Sequence, residues 1–399
     1  MRAPFIVLLI LLIINAAIDA YIYIQSRRRC HNQIWGRLQL FTAIFLAAAM
    51  IVEMSLPAKR GDEMLLLGKM WLLFAYLSIY LPKYLAVAFD LVSYIPKLWK
   101  GKRLKAVTCG GVVIAIITFA ALWWGALINR YQIHVNEVGV SIPSLPKKFD
   151  GLRIAQFSDL HTGTFNADTT FVSRLVDKIN SLKPDVIVFT GDIVNRRSDE
   201  MAPFTGTLSR LHAPMGVYAV LGNHDYGDYW KWESDEAKQR NMQILFGLYD
   251  RTGIRLLRNQ TAWLRSGNDS IALIGVENIG DPPFKTYGTL LTAYPTPEDS
   301  YTKILLSHNP QHWVDSISGR SNINIPLTLS GHTHAMQIEA CGISPAAFRY
   351  DTWGGLYHDI DNRNTLYVNI GAGTVGIPMR VGATPEITLL TLKAGNAPQ

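Results

Sequence analysis

Residues 216–225 read GVYAVLGNHD. An apolar run of strand length, 216–221, meets a glycine and passes at once into Asn223, His224 and Asp225. Short apolar runs bounded by turn residues mark buried strands. The abrupt switch to polar side chains places them at the strand's carboxyl end. The same arrangement recurs along the chain. The run 152–157 leads into Asp159 and His161, 185–190 into Gly191-Asp192, 304–307 into His308, and 327–330 into Gly331-His332-Thr333-His334. Further apolar runs lie at 271–276, 365–370 and 386–392. Residues 171–182 carry apolar side chains at helical spacing, with Asn166 and Asp168 available as caps. Strands alternating with helices predict an α/β domain with a largely parallel sheet. In such sheets ligands gather at the carboxyl ends of the strands.

Five of the ten histidines stand at these ends. Each cluster alone is weak. An Asp-x-His pair serves equally as a capping Asp beside a surface His, and Gly-Asp says less still. Gly-His-x-His says more, because two imidazoles two residues apart converge when the backbone turns tightly. Glycines before Asp192, Asn223 and His332 leave room for such turns. Carboxylates and an amide mixed with imidazoles suit Mn, Fe or Zn rather than Ca or an all-thiolate site. The donors outnumber what one ion needs. A carboxylate bridging two ions about 3.5–4 Å apart is the two-metal arrangement used on phosphate esters. His224, next to a ligand at a strand end, is placed for general acid work.

The ordered set Asp159-x-His161, Gly191-Asp192, Gly222-Asn223-His224-Asp225, His308 and Gly331-His332-x-His334 resembles the calcineurin-like metallophosphoesterase superfamily over roughly residues 150–395. The tail Gly371-x-Gly373, Met379-Arg380 and Pro385-Glu386-Ile387 is similar to the closing segment of its membrane-associated bacterial branch. The resemblance implies an α/β/β/α sandwich and two divalent metal ions. Asp159, His161 and His334 would hold the first, Asn223, His308 and His332 the second, and Asp192 would bridge them. His224 would face the substrate phosphate and serve the leaving oxygen. In the protein-phosphatase branch the Gly-Asp block continues to a second Asp that orients this histidine. Here Asn195 stands at that place. An amide orients a neutral imidazole but supports its charged form less well. That argues against phosphoprotein phosphatase activity. Asp225 either supplies the missing carboxylate or caps the next turn. Arg196 and Arg197 either contact phosphate or form a solvated loop pair.

The composition, 49% hydrophobic and only 17% charged, calls for a membrane part. Apolar stretches at 4–24, 38–57, 64–86 and 106–128 each reach the length of a spanning helix. The first is followed by Arg27, Arg28 and Arg29 rather than a small-residue cleavage site, so it reads as a retained span. The chain therefore divides into a four-helix transmembrane region (1–130), a strand and linker (131–150) and the α/β domain (151–399). Residues 1–130 hold 15 Lys and Arg against 5 Asp and Glu, and the remainder 23 against 26. The basicity belongs to the membrane half, so a nucleic-acid partner is not expected. Asp19, Glu53, Lys69, Lys83 and Asp90 fall in or near the spans. Lys83 and Asp90 are expected at an interface and the others paired or snorkelling. Of the three cysteines only Cys341 lies in the second half, which excludes an internal disulfide there.

These readings converge on a phosphoesterase integral to a plasma or inner membrane, acting on a phosphodiester or pyrophosphate of an envelope or lipid-linked molecule. Tyr226, Tyr229, Trp230 and Trp232, with Tyr350, Trp353 and Tyr357, suit either lipid contact or ordinary packing beside the site. Two alternatives are a nucleotide-sugar-lipid pyrophosphatase with a cytoplasmic site, and a transporter or sensor whose metal domain only binds ligand. Basic residues concentrate in the first loop (Arg27, Arg28, Arg29, Arg37) and the third (Lys97, Lys100, Lys102, Arg103, Lys105). The positive-inside bias makes those loops cytoplasmic and the domain after residue 130 extracytoplasmic. A reporter fused after the last residue should be active only outside the cytoplasm, and protection of the domain from added protease in right-side-out vesicles would reverse the assignment.

Overall fold

A computed structural model describes residues 2–29, 33–56 and 63–395. Cys30, Lys59, Arg60 and Asp62 lie outside the described residues. Contacts divide the chain into a unit made chiefly of residues 1–127 and another beginning at Ile128.

The first unit contains four helices, α1 (Arg2–Arg29), α2 (Gln33–Ser55), α3 (Glu63–Val92) and α4 (Lys105–Leu127). All four are long and apolar enough to cross a membrane. The charges buried between them are paired. Lys69 meets Glu53 at 3.0 Å. Asp90 sits between Arg29 (2.7 Å) and Arg103 (2.6 Å), which places the ends of α1, α3 and α4 together and the first and third loops on one side. Lys83 departs from the interfacial expectation. It pairs with Asp19 at 2.8 Å, and that carboxylate also accepts from Gln39 Nε2 and the Tyr80 hydroxyl, each at 2.7 Å. A buried carboxylate in apolar surroundings is costly unless its oxygens are satisfied. Donors from α2 and α3 satisfy this one, and thereby tie α1 to both.

The second unit runs β1 (His134–Ile142), β2 (Arg153–Phe157), α5 (Thr170–Ser181), β3 (Val186–Phe189), α6 (Thr205–Leu208), β4 (Val217–Ala219), α7 (Asp235–Thr252), β5 (Arg255–Leu256), β6 (Gln260–Ser266), β7 (Asp269–Gly275), α8 (Leu290–Ala293), β8 (Lys303–Leu306), α9 (Gln311–Ser316), β9 (Leu327–Ser330), β10 (Gly355–His358), β11 (Thr365–Val368) and β12 (Glu386–Ala394). They form two six-stranded sheets, ordered β1-β12-β2-β3-β4-β5 and β10-β11-β9-β8-β7-β6. The middle of each is parallel: β2 to β5 in one, and β7, β8, β9 and β11 in the other. Antiparallel partners sit towards the edges.

Strand periodicity explains the layering. Alternate side chains point to opposite faces. Val186 and Val188 of β3 join Ile271, Leu273, Ile304 and Leu306 in a core between the sheets. Ile187 and Phe189 join Val172, Leu175 and Ile179 of α5 and Leu245 and Leu248 of α7 on the outer side. Ala272, Ile274 and Leu305 meet Trp313 and Ile317 on the other. Both faces of the central strands are buried, which is why they read as unbroken apolar runs. The result is the α/β/β/α sandwich that the resemblance implied.

Residues 131–150 contain the expected strand: β1 adds to the first sheet through a nine-residue register with β12, from His134 opposite Glu386 to Ile142 opposite Ala394. The α7 helix and strands β6 and β10 were not read from the sequence. Their residues are half exposed and mix polar with apolar side chains, so neither period stands out.

Buried His312 sits on α9 with Nδ1 2.9 Å from Ser307 Oγ, and burial lowers its pKa to about 4. A histidine neutral in the folded state but charging near pH 6.5 in the unfolded chain contributes stability that is complete above that pH and lost as pH falls towards 4. Over this window the metal-free protein should lose about 3 kcal/mol more than His312→Phe, as measured by chemical denaturation at each pH. Parallel pH profiles for the two proteins would remove His312 from the account.

Candidate metal centre

The carboxyl ends of β2, β3, β4, β8 and β9 bring the expected side chains into one place. Asp159, His161 and His334 offer donor atoms within 4.8 Å of one another, and Asp192, His308 and His332 do the same. Asp159, His161, Asp192 and His308 are almost wholly buried. Asp192 lies between the two sets, with Oδ2 3.2 Å from His308 Nε2 and 3.7 Å from His161 Nε2. Asn223 Oδ1 is 3.1 Å from His308 Nε2. His334 Nε2 lies 3.2 Å from Asp159 Oδ1 and 3.0 Å from His161 Nε2. His332 Nδ1 faces His308 Nε2 at 3.3 Å.

These contacts fit shared cations. Neutral imidazoles each carry one lone pair, and rings turned nitrogen to nitrogen inside a buried pocket satisfy those pairs best around a common positive charge. Without one, the site is electrostatically divided. Burial opposes ionisation of Asp159 and Asp192, yet neighbouring histidines hold both carboxylates well below their usual range. Burial also opposes charge on His308, but Asp192 and Asp159 overcome it and raise its pKa to about 9. His332 is pushed down to about 3 by burial and then by His308.

Backbone geometry does the converging. Asp159 (φ 53°), His161 (48°), Asp192 (61°), His332 (76°) and His334 (52°) all adopt left-handed conformations. Such conformations cost a non-glycine residue about 1–3 kcal/mol and persist only when surroundings enforce them. Gly331 is required for close approach rather than for its own φ, since a Cβ there would collide with Ser158 Oγ and Asp159 Oδ2.

The residues expected around His224 sit differently from the sequence reading. Its Nδ1 lies 2.7 Å from the main-chain oxygen of Asn195, not from the side-chain amide. The loop turns that carbonyl to the ring and packs Asn195 Oδ1 towards Gly163. The identity of residue 195 therefore does not set the orientation, although its backbone does. Asp225 is not on the imidazole. Its carboxylate accepts from the backbone N–H groups of Asp192, Ile193, Val194 and Gly222 at 2.9–3.2 Å. It ties the loop carrying Asp192 to the loop carrying Asn223. Burial and nearby Asp192 raise its pKa to about 7, against the pull of those N–H groups. Arg196 and Arg197 are not a solvated pair. Arg196 is buried beside Glu200, and the two guanidinium groups lie 5.3 and 4.2 Å from the Trp230 ring centre.

The aromatic segments serve as walls. Tyr226 is buried and stacked on Tyr287, Trp232 Nε1 donates to the Gly227 carbonyl, and the Tyr350 hydroxyl lies 3.2 Å from His332 Nε2. Arg380 belongs to the closing segment of the chain. It is fully buried, donates to the carbonyls of Gly373, Ala383 and Ile370, and reaches His334 Nδ1 at 3.1 Å. No local pattern marks such a contact, because it joins positions 46 residues apart.

A profile described as "Calcineurin-like phosphoesterase" matches residues 152–336, and one described as "Probable Calcineurin-like phosphoesterase, transmembrane domain" matches residues 1–130. An uncharacterized metallophosphoesterase of Bacillus subtilis is 31% identical over 280 residues, covering 67% of this chain and 88% of that protein. This chain belongs to the calcineurin-like metallophosphoesterases. It is a membrane metallophosphoesterase, a metal-dependent hydrolase of phosphate esters. The UDP-2,3-diacylglucosamine pyrophosphatase of Chlamydia trachomatis is 31% identical over 301 residues, 62% of this chain and 86% of that one. The zebrafish (Danio rerio) "Transmembrane protein with metallophosphoesterase domain" is 30% identical over 290 residues, 70% of this chain, and the match spans 62% of the zebrafish protein's length.

Asp225→Asn replaces one acceptor oxygen by a donor facing backbone N–H groups. It should destabilise the protein by about 2–3 kcal/mol and lower its metal content. If Asp225 instead served His224 as a proton partner, stability and metal content would hold and the pH-rate profile would move.

Proposed function

We propose that the chain is a dinuclear phosphoesterase that cleaves a phosphodiester or pyrophosphate bond of an envelope or lipid-linked molecule, with its site outside the cytoplasm. One observation carries the reading: Asp192 lies within reach of both donor sets, while His224 stands beside them with its Nδ1 engaged by a carbonyl. Two divalent ions in such a pair neutralise a phosphate and acidify a water.

The chain's own residues then divide the labour. Asp159, His161 and His334 would hold one ion and Asn223, His308 and His332 the other, with Asp192 available to both. His224 takes no part in ligation. The Asn195 carbonyl accepts from Nδ1–H, which leaves Nε2 as the atom that exchanges a proton with the leaving oxygen. Asp225 keeps the two ligand loops in register. Among the described residues no carboxylate accepts from the His224 ring, in keeping with diesters and pyrophosphates rather than phosphoproteins. The helical region supports a lipid-linked substrate, and the loop charges support the extracytoplasmic side.

A second reading draws on the chlamydial relative, whose name gives it UDP-2,3-diacylglucosamine pyrophosphatase activity. A nucleoside diphosphate linked to a lipid would require a cytoplasmic site. The two readings share their chemistry and part on topology and substrate.

Purified protein should hydrolyse an aryl phosphodiester with added Mn²⁺ and stop on chelation. His224→Ala should reduce turnover by about 10²–10⁴-fold, the range of a general acid contribution, and Asp192→Asn should reduce turnover together with bound metal. Undiminished turnover in either variant would refute the assignment. Release of UMP from UDP-2,3-diacylglucosamine, with no diesterase activity, would favour the second reading.

A further inference from the structure

Tyr229 lies against the centre but belongs to none of the strand-end clusters. Its ring stacks on the His224 imidazole, with centroids 4.1 Å apart and planes inclined by 18°. Its hydroxyl oxygen accepts a hydrogen bond from Asn223 Nδ2 at 2.9 Å. The other end of that amide, Asn223 Oδ1, faces His308 Nε2. The phenol thus holds the amide with its oxygen turned into the cluster.

A tyrosine hydroxyl can accept and also donate one hydrogen bond. Here the accepting side is taken, and among the described residues no acceptor receives the proton. The side chain is half-buried.

The loop that carries Tyr229 is anchored on both sides. Asp228 accepts from Lys238 at 2.6 Å, from Lys285 at 2.8 Å and from the Tyr287 hydroxyl. Trp230 lies against Arg197. An anchored donor with an unspent proton, next to a ligand amide and the non-ligand histidine, is preorganised for an oxygen that arrives with the substrate. Hydrogen bonds to ionised acceptors are the strong ones, and phosphate oxygens are such acceptors.

We propose that Tyr229 is a phosphate-binding residue, whose hydroxyl donates to a non-bridging oxygen of the substrate phosphate while its oxygen holds the Asn223 amide. The inference rests on the phosphoesterase reading and adds a neutral donor to a site otherwise built from ligands and one histidine.

Tyr229→Phe keeps the ring stack and removes only the hydroxyl. The probe is inorganic phosphate titrated calorimetrically into the full-length, Mn²⁺-loaded protein, with retained Mn²⁺ per chain measured after dialysis. The phosphate Kd should rise about tenfold with Mn²⁺ retention unchanged, as expected for loss of a hydrogen bond to a charged group. A Kd within about twofold of the parent would overturn the proposal, since a lost bond of that kind gives more. So would loss of Mn²⁺ alongside the change in Kd, because the hydroxyl would then act only as a clamp on Asn223. Neither readout needs turnover. A parent protein that binds phosphate but hydrolyses no ester would count against the phosphoesterase reading and leave the result on Tyr229 standing.

Discussion

The Asp192 carboxylate is buried within 3.2 Å of His308 and 3.7 Å of His161, and its other oxygen accepts the backbone N–H of His224 at 2.8 Å. A buried carboxylate in that position answers to both donor sets and to the histidine beside them. It must be held from behind, and Asp225 does so by accepting four backbone N–H groups from the two adjoining loops. A second buried carboxylate within the same shell is unfavourable on electrostatic grounds. The fold tolerates it because each of its oxygens receives at least one short, well-directed N–H.

That constraint reaches outward through the strands. Parallel strands buried on both faces leave their carboxyl ends as the place where the chain can turn and expose polar groups without losing core. Five of the seven proposed ligand residues make that turn in a left-handed conformation. The strain is supported by the neighbours: the Asp159 carboxylate accepts from His332 N at about 3 Å, and Gly371 and Gly373 accept close contact from the Asp159–Leu160 segment. Arg380 then closes the shell behind His334, using carbonyl oxygens in place of a carboxylate partner.

In the helical unit the same rule acts in an apolar setting. Asp19 is kept by Lys83, Gln39 and Tyr80, and Asp90 by Arg29 and Arg103. Asp19, Glu53, Lys69, Lys83 and Asp90 each have a named partner, so helix packing accounts for these charges.

Much of the centre was legible in the chain because its signals are local. An apolar run says where a strand is buried, and the residue that follows it says what stands at the strand's end. Five such junctions in order were enough for the ligand types and the α/β class, and four long apolar runs for the helices. Three-dimensional structure alone decided how those side chains are used. Asn195 presents its main chain rather than its amide, Asp225 binds backbone rather than imidazole, and Tyr229 and Arg380 reach Asn223 and His334 through contacts that no local pattern specifies. The reason is physical. Side-chain type and spacing along a strand are written in consecutive residues, whereas the direction of a carbonyl or the partner of a buried guanidinium depends on loops that meet only after the two sheets have packed.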